Sequence, residues 1–297
     1  MEYVTKQMQT YRTGKTITDQ FYIDDDYNVP DAKSDVKRVI LGEGTLAVED
    51  MKIVENYIRV AGKLNFKVLY VTDEGETRLS CLEGRIPFEE MIYLEQDPVG
   101  DLFIQSSSVD LTVTAIHSRK LNLKTLAEIS ICSEGRKEAE IDTPLYKRHE
   151  SKELLRVFTT KKDTYRIKEE VSISGTKENI GTLLWTEVNS RKLDTRLEAD
   201  ELKLQGELLL FCFYESLDGK TDWIEQTIPY EGRIECYGVQ DNMYHQIYPE
   251  LMDVNIDVRM DEDGEMRLIG VEATLEVRLI IYEEEQVDIL SDIYSLE

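Results

Sequence analysis

The chain has 297 residues with a formal net charge of −25, and it is 41% hydrophobic and 32% charged. This composition predicts a folded protein of about two domains. The charge argues against nucleic acid and against an anionic membrane surface as partners, because both require basic surface. Residues 1–148 hold 19 basic against 26 acidic side chains, and residues 149–297 hold 16 against 34, so the second half is the more acidic one.

No segment of the sequence predicts secretion or membrane insertion. The first twelve residues contain no apolar signal core, and the longest apolar run, 208–214, is far too short to span a bilayer. The cysteines are widely spaced with no CxxC pair, which favours reduced, buried thiols over a disulfide scaffold: Cys81, Cys132, Cys212 and Cys236. A soluble cytosolic protein fits these features best.

The first unusual element in chain order is NVPDAKSDVKRVI at 28–40. Pro30 fixes its own φ and disfavours a helical conformation at Val29. Asp31 or Ser34 can then cap a following helix, because a side-chain oxygen accepts from free backbone N–H groups. Short helices are predicted at Asp35–Leu41, Ser151–Phe158 and Glu178–Trp185.

The same region permits a metal interpretation. Asp24, Asp26 and Asn28 stand at alternate positions, and Asp35 stands eleven residues after Asp24, which imitates part of an EF-hand loop. The glycine that the sixth position requires is replaced by Val29, and no helical pattern precedes the segment. A solvated acidic loop is the favoured interpretation, and we expect no metal or cofactor.

A long β-strand follows at 58–70, because apolar and polar residues alternate over IRVAGKLNFKVLY. LKLQGELLLFCFY at 202–214 repeats the pattern at an offset of 144, and Gly62 corresponds to Gly206. A glycine inside a strand predicts a bulge or close packing, with the approach of a ligand to the backbone as the alternative.

Three further blocks repeat in the same order, at offsets between 142 and 148. We interpret this as an internal duplication, and we predict an all-β fold of two tandem antiparallel β-sandwich-like modules with short helices. The predicted organisation is a lead-in segment at 1–25, a first repeat at 26–135, a linker at 136–168, a second repeat at 169–282 and a tail at 283–297. We expect the tail to lead toward a missing third repeat, which would make the chain a piece of a longer protein.

The segment VPDAKSD, followed by the hairpin GEGTLAVED, the strand at 57–71 and IPFEE, resembles the SPOCS domain of clostridial spore-morphogenesis proteins. Val29, Pro30, Asp31, Lys33 and Asp35 match the VPD-x-K-x-D motif of that family. The resemblance covers 16–135 closely and 160–282 more weakly, because the second repeat lacks VPD. Such proteins often end in a peptidoglycan-binding LysM module, which is not recognisable here.

The sequence contains no recognisable catalytic motif. GxSxG, HExxH, Walker and GxGxxG patterns are all missing, and LGEGT at 41–45 is interpreted as a hairpin turn. His117, His149 and His245 lack metal-ligand spacing. An aromatic group in the second repeat could pack in the core or form a sugar-binding or partner-binding surface: Trp223, Tyr230, Tyr237, Tyr244 and Tyr248.

Three hypotheses follow. The favoured one, implied by the resemblance, is a non-enzymatic scaffold of spore coat or envelope assembly in the mother-cell cytoplasm at the forespore surface. Its implied partners are coat morphogenetic proteins, including the ATPase of the coat basement layer, and the partner-binding residues stay unknown. The second is a carbohydrate- or peptidoglycan-binding module. The third is an enzyme whose site is split between the modules, which would require a cluster of carboxylates or histidines with shifted pKa values.

Overall fold

A computed structural model describes residues 4–73, 78–143 and 148–292 of the chain. All regular elements in these ranges are β-strands. The first seven are β1 (Val4–Thr13), β2 (Ile17–Asn28), β3 (Val36–Val54), β4 (Tyr57–Thr72), β5 (Leu79–Tyr93), β6 (Asp101–His117) and β7 (Lys120–Thr143). The other six are β8 (Arg148–Ser172), β9 (Ile180–Glu198), β10 (Glu201–Ser216), β11 (Thr221–Glu235), β12 (Tyr244–Met260) and β13 (Met266–Asp292).

The strands form two sheets in each repeat. In the first repeat, β3-β4-β5 form one sheet, and β7 pairs with β2, β6 and β1 in the other. In the second repeat the corresponding sheets are β9-β10-β11 and β12-β13-β8. All pairings with a described register are antiparallel. The all-β fold class and the duplication are thereby confirmed, since β3 and β4 begin and end 144 residues before β9 and β10.

Each repeat has its own hydrophobic core between its two sheets. The inward side chains of β4 and β10 are almost fully buried, as the period-two pattern predicts; Tyr70 and Tyr214 are the largest of them. The inward side chains of β7 and β13 complete the two cores. Burial of one large apolar side chain contributes about 1.5–3 kcal/mol, so these facing rows are the main source of stability.

The chain divides into two compact units, residues 12–135 and residues 136–297 together with 1–11. Much of the segment interpreted as a linker, 136–168, lies in β7 and β8, and the lead-in 1–25 contains β1 and most of β2. The residue at which each repeat begins and ends stays a prediction.

The three predicted helices are wrong. Asp35–Leu41 lies almost wholly in β3, Ser151–Phe158 lies inside β8, and Glu178–Trp185 runs from a loop into β9. Each segment combines branched or apolar residues with a neighbouring strand that supplies backbone hydrogen-bond partners, and this pairing overrides the local capping signals. Within the ranges that the structure describes there is no helix.

The two strand glycines have the structural role that the sequence favours. A Cβ on Gly62 would lie 2.2 Å from the backbone oxygen of Ala47, opposite the irregularity between Val48 and Asp50 in β3. A Cβ on Gly206 would lie 2.5 Å from the hydroxyl of Tyr230, beside a register shift in the β10-β9 pairing. Both positions therefore exclude a side chain because protein atoms already occupy the space.

Candidate functional site

The motif segment forms a tight loop between β2 and β3. The N–H of Lys33 donates to the carbonyl of Pro30 across 2.9 Å, which closes a turn where a helix cap was expected. The side chain of Val29 is buried, whereas Pro30, Asp31 and Lys33 are exposed. The loop therefore anchors one end in the core and presents its tip to solvent.

Arg119, in the turn between β6 and β7, holds this loop in place. Its guanidinium donates to the backbone carbonyls of Lys33, Pro30 and Val29 at 2.6, 2.9 and 3.1 Å. It also donates to the carboxylates of Asp35 at 3.1 Å and Asp31 at 3.4 Å. Its own carbonyl accepts from the N–H of Val29. A planar guanidinium with five donors suits such a cluster of acceptors better than a lysine would.

The second repeat builds the same loop with different residues. Arg267 donates to Asn179 Oδ1 at 2.7 Å and to the backbone carbonyls of Lys177 at 2.7 Å and Ser174 at 3.4 Å. Its carbonyl accepts from the N–H of Ile173, and the N–H of Lys177 donates to Ser174. Each of these bonds has a counterpart in the first repeat, so the loop geometry is duplicated although VPD is not.

A buried tyrosine of the core donates a hydrogen bond to each loop. The hydroxyl of Tyr70 donates to the carbonyl of Ser34 at 3.0 Å, and that of Tyr214 donates to the carbonyl of Glu178 at 3.5 Å. Burial raises the pKa of both phenols, which therefore remain protonated donors at neutral pH.

The lysine at the loop tip differs between the two repeats. Lys177 donates to both carboxylate oxygens of Asp222, at 2.8 and 2.9 Å, and to the carbonyl of Trp223 at 2.7 Å. The residue at the position of Asp222 in the first repeat is Ser80, which lies opposite Tyr70 as Asp222 lies opposite Tyr214. Lys33 is exposed, and its ammonium has no carboxylate partner among the described residues.

The charges around the loops shift the pKa values of their carboxyl groups. A hydrogen bond from Ser118 and the guanidinium of Arg119 lower the pKa of Asp35. The ammonium of Lys177 lowers the pKa of Asp222. Both carboxylates are therefore ionised at neutral pH and hold their cationic partners in place.

The residues that imitate an EF-hand do not form a metal loop. Asp24 and Asp26 lie on strand β2, and the side-chain amide of Asn122 donates to both carboxylates, at 2.8 and 3.0 Å. The ammonium of Lys120 lies 2.7 Å from Asp26 and, with Asn122, lowers its pKa. Neither an EF-hand loop nor the solvated acidic loop favoured by the sequence is formed at 24–28, because this segment is a paired strand in which protein donors hold the carboxylates. The described residues contain no cluster of three or more metal-ligating side chains.

The histidines and cysteines lie in separate structural environments. His117 accepts from the backbone N–H of Arg119, and His245 shares a hydrogen bond with the hydroxyl of Thr195; burial lowers the pKa of His245. The side chain of His149 lies outside the described residues. Burial raises the pKa of the Cys81 thiol to about 11 and of the Cys212 thiol to about 12, so neither is a thiolate at neutral pH.

Two small grooves lie in the unit formed by residues 12–135. One groove of about 310 Å³ is lined by residues that include Asp19, Tyr93 and Glu95, and one of about 250 Å³ lies beside Cys132. Burial and the charge of Asp19 raise the pKa of Glu90. Lys15 lowers the pKa of Glu95. The two grooves are near the lower end of the usual range for ligand pockets.

The aromatic group of the second repeat does not form one surface. Tyr230 is buried in the core, with its ring stacked on that of Tyr165. Trp223 is half-exposed on β11 and stacks on Phe211. Tyr237 is exposed in the turn after β11, whereas the exposed Tyr244 and the partly buried Tyr248 lie on β12 in the other sheet. The platform that a carbohydrate-binding module needs is not formed by these residues.

Sequence reasoning missed the two arginines that organise the loops. A signal was present, because the offset of 148 that aligns Leu121 with Ile269 also aligns Arg119 with Arg267. Likewise, the offset of 144 aligns Lys33 with Lys177. The absence of VPD from the second repeat drew attention away from the arginine and the lysine that both repeats share.

Comparison with known families matches both repeats. The family model described as SipL, SPOCS domain matches residues 35–116 and residues 179–259, which together make up more than half of the chain. The chain belongs to the SipL SPOCS domain family. The suspected resemblance is confirmed, and the two matched regions begin 144 residues apart, as the duplicated strands do.

Membership in the SPOCS family indicates a role related to sporulation, and this family is not a known enzyme family. No curated protein and no solved structure matches the chain. Among the residues with described structure, no helix has the length and apolar character needed to cross a membrane.

Proposed function

We propose that this chain is a non-enzymatic scaffold of spore coat or spore envelope assembly, acting through protein–protein contacts. The observation that carries the proposal is the motif loop of the first SPOCS repeat, in which Arg119 fixes the backbone while Asp31 and Lys33 face solvent. A rigid exposed loop loses little conformational entropy when a partner binds, which favours recognition of a protein surface.

The partner that we propose is the ATPase of the coat basement layer, with other coat morphogenetic proteins as further candidates. The proposed location is the mother-cell cytoplasm at the forespore surface. Both statements are what the resemblance to spore-morphogenesis proteins implies, and the acidic composition of the chain favours recognition by charge complementarity. In this proposal Lys33 of the first repeat is available to the partner, whereas Lys177 of the second repeat is held in an ion pair with Asp222.

The test is a binding titration of the purified chain with the purified ATPase at two salt concentrations. Saturable binding that weakens as salt rises is the expected result, because exposed charges are screened. Failure of a folded chain to bind at either salt concentration would reject this partner for these two repeats. Circular dichroism confirms the fold in both cases.

A further inference from the structure

An apolar row crosses the outer face of the sheet β3-β4-β5. Val54, Tyr57 and Tyr93 are directly opposite one another on the three strands. Tyr57 and Tyr93 each neighbour a buried core residue in their strand, so their side chains point away from the core. These side chains are 43%, 40% and 55% exposed, and the two tyrosine rings lie 5.6 Å apart.

The next row on this face has a different chemistry. It consists of Lys52, Arg59 and Met91, in the same register across the three strands. Arg59 lies flat enough on the sheet to reach acidic neighbours on both sides, Asp50 at 3.3 Å and Glu89 at 2.5 Å. Met91 is 45% exposed. A row of aromatic and apolar groups therefore borders a row of cationic groups and a thioether.

The second repeat shows that the fold does not need these apolar groups. The residues at the corresponding positions of β9, β10 and β11 are Glu198, Glu201 and Glu235, again directly opposite one another. The next row there is Arg196, Lys203 and Arg233. The same sheet position thus accepts a fully charged face, so packing within the repeat does not explain the exposed tyrosines.

We propose that two copies of this chain associate through the outer face of β3-β4-β5. The two-fold axis lies in the plane of the face, between the two rows and parallel to them. Rotation about this axis places the apolar row of one copy against the cationic row of the second copy, and the cationic row against the apolar row. Tyr57 then meets Arg59 of the second copy as a cation–π pair, and Tyr93 meets Met91 as a sulfur–aromatic pair. The stem of Lys52 covers Val54. The face is therefore complementary to itself.

The size of the face sets the strength of the association. Six partly exposed side chains supply on the order of 500 Å² per copy, less than the roughly 800 Å² per partner of a standard stable interface. The contact is accordingly a weak dimer. Since each copy carries a net charge of −25, the two copies repel, and salt strengthens this association by screening that repulsion. Binding of the ATPase is expected to weaken as salt rises, so the salt dependence distinguishes the two interactions. The proposed dimer does not depend on the proposed binding of the ATPase.

Sedimentation equilibrium of the purified chain tests the proposal, over about 1 to 300 µM protein at low and high salt. The test variant is Tyr57→Glu with Tyr93→Glu, which gives the first repeat the residues of the second. The matched control, Glu201→Gln with Glu235→Gln, changes the same positions of the second repeat. A further variant, Met91→Arg, places the residue of the second repeat in the adjacent row and tests the face should the double variant fail to fold.

The wild-type chain and the control should change from monomer toward dimer with concentration, more strongly at high salt. The tyrosine double variant and Met91→Arg should weaken the association about tenfold or more. A wild-type chain that stays monomeric throughout would overturn the proposal, and so would folded variants that dimerise as the wild type does.

Discussion

The guanidinium of Arg119 lies 3.1 Å from a carboxylate oxygen of Asp35, at the base of the motif loop. The same group donates to three backbone carbonyls of that loop. In the second repeat, Arg267 binds Asn179 and its loop carbonyls in the same way. The family motif is therefore half of a structural unit, and the arginine at the start of the last strand of the repeat, just before β7 in the first repeat and within β13 in the second, is the other half.

Replacement of Arg119 by alanine should destabilise the first repeat. The change removes five hydrogen bonds and leaves loop carbonyls without a donor, so we expect the free energy of unfolding to fall by about 2 kcal/mol. Arg85→Ala, at an exposed position on β5, is the control and should change it by less than about 0.5 kcal/mol. Urea denaturation measures both variants, and an equal loss in the two would contradict the proposed role of Arg119.

The contribution of Asp35 should disappear in acid. The pKa of Asp35 is lowered in the folded chain from its ordinary value of 3.8, so the folded state favours the ionised form. Its stabilisation is fully present above pH 3.8 and is lost as the pH falls through the lower folded pKa. The comparison is wild type against Asp35→Asn, which carries the residue found at Asn179. The stability difference between them should shrink as the pH falls below 3.8, and a difference that stays constant there would contradict this account.

The sequence predicts the sheets of this fold well and its loops poorly. Strict alternation identified β4 and β10, because one face of each strand is buried and the other is not. The helix predicted after Asp35 failed because local capping preferences are weak beside the hydrogen bonds of a sheet. Arg119 could not be placed from the motif alone, since it approaches from a turn more than 80 residues away.

Thr125 offers a site for stabilisation. Its side chain is 1% exposed on the inner face of β7, and its hydroxyl has no hydrogen-bond partner in the described part of the chain. The residue at the corresponding position of the second repeat is Ala273. Thr125→Val keeps the shape and removes the unsatisfied hydroxyl, so we expect a gain of about 1 kcal/mol in the free energy of unfolding. A loss of stability would instead indicate that the hydroxyl is bound in solution.

The two strand glycines should respond differently to alanine. In Gly62→Ala the new methyl group meets the backbone oxygen of Ala47, which cannot move without distorting β3. In Gly206→Ala it meets the end of the Tyr230 side chain. We expect losses of about 1–3 kcal/mol, with the larger loss for Gly62→Ala, because a side chain adjusts more easily than a paired strand. Thermal denaturation ranks the two variants, and the reverse order would contradict this explanation.

The most direct test of the proposed scaffold compares Lys33→Ala with Lys177→Ala for both binding and stability. Lys177 is bound by Asp222 within its own repeat, so its loss should lower the free energy of unfolding by about 1 kcal/mol and leave affinity for the coat-basement ATPase unchanged. Lys33 is exposed, so its loss should leave stability unchanged and reduce that affinity about tenfold. If Lys33→Ala binds the ATPase as tightly as the wild type, the motif loop of the first repeat is not the partner-binding surface.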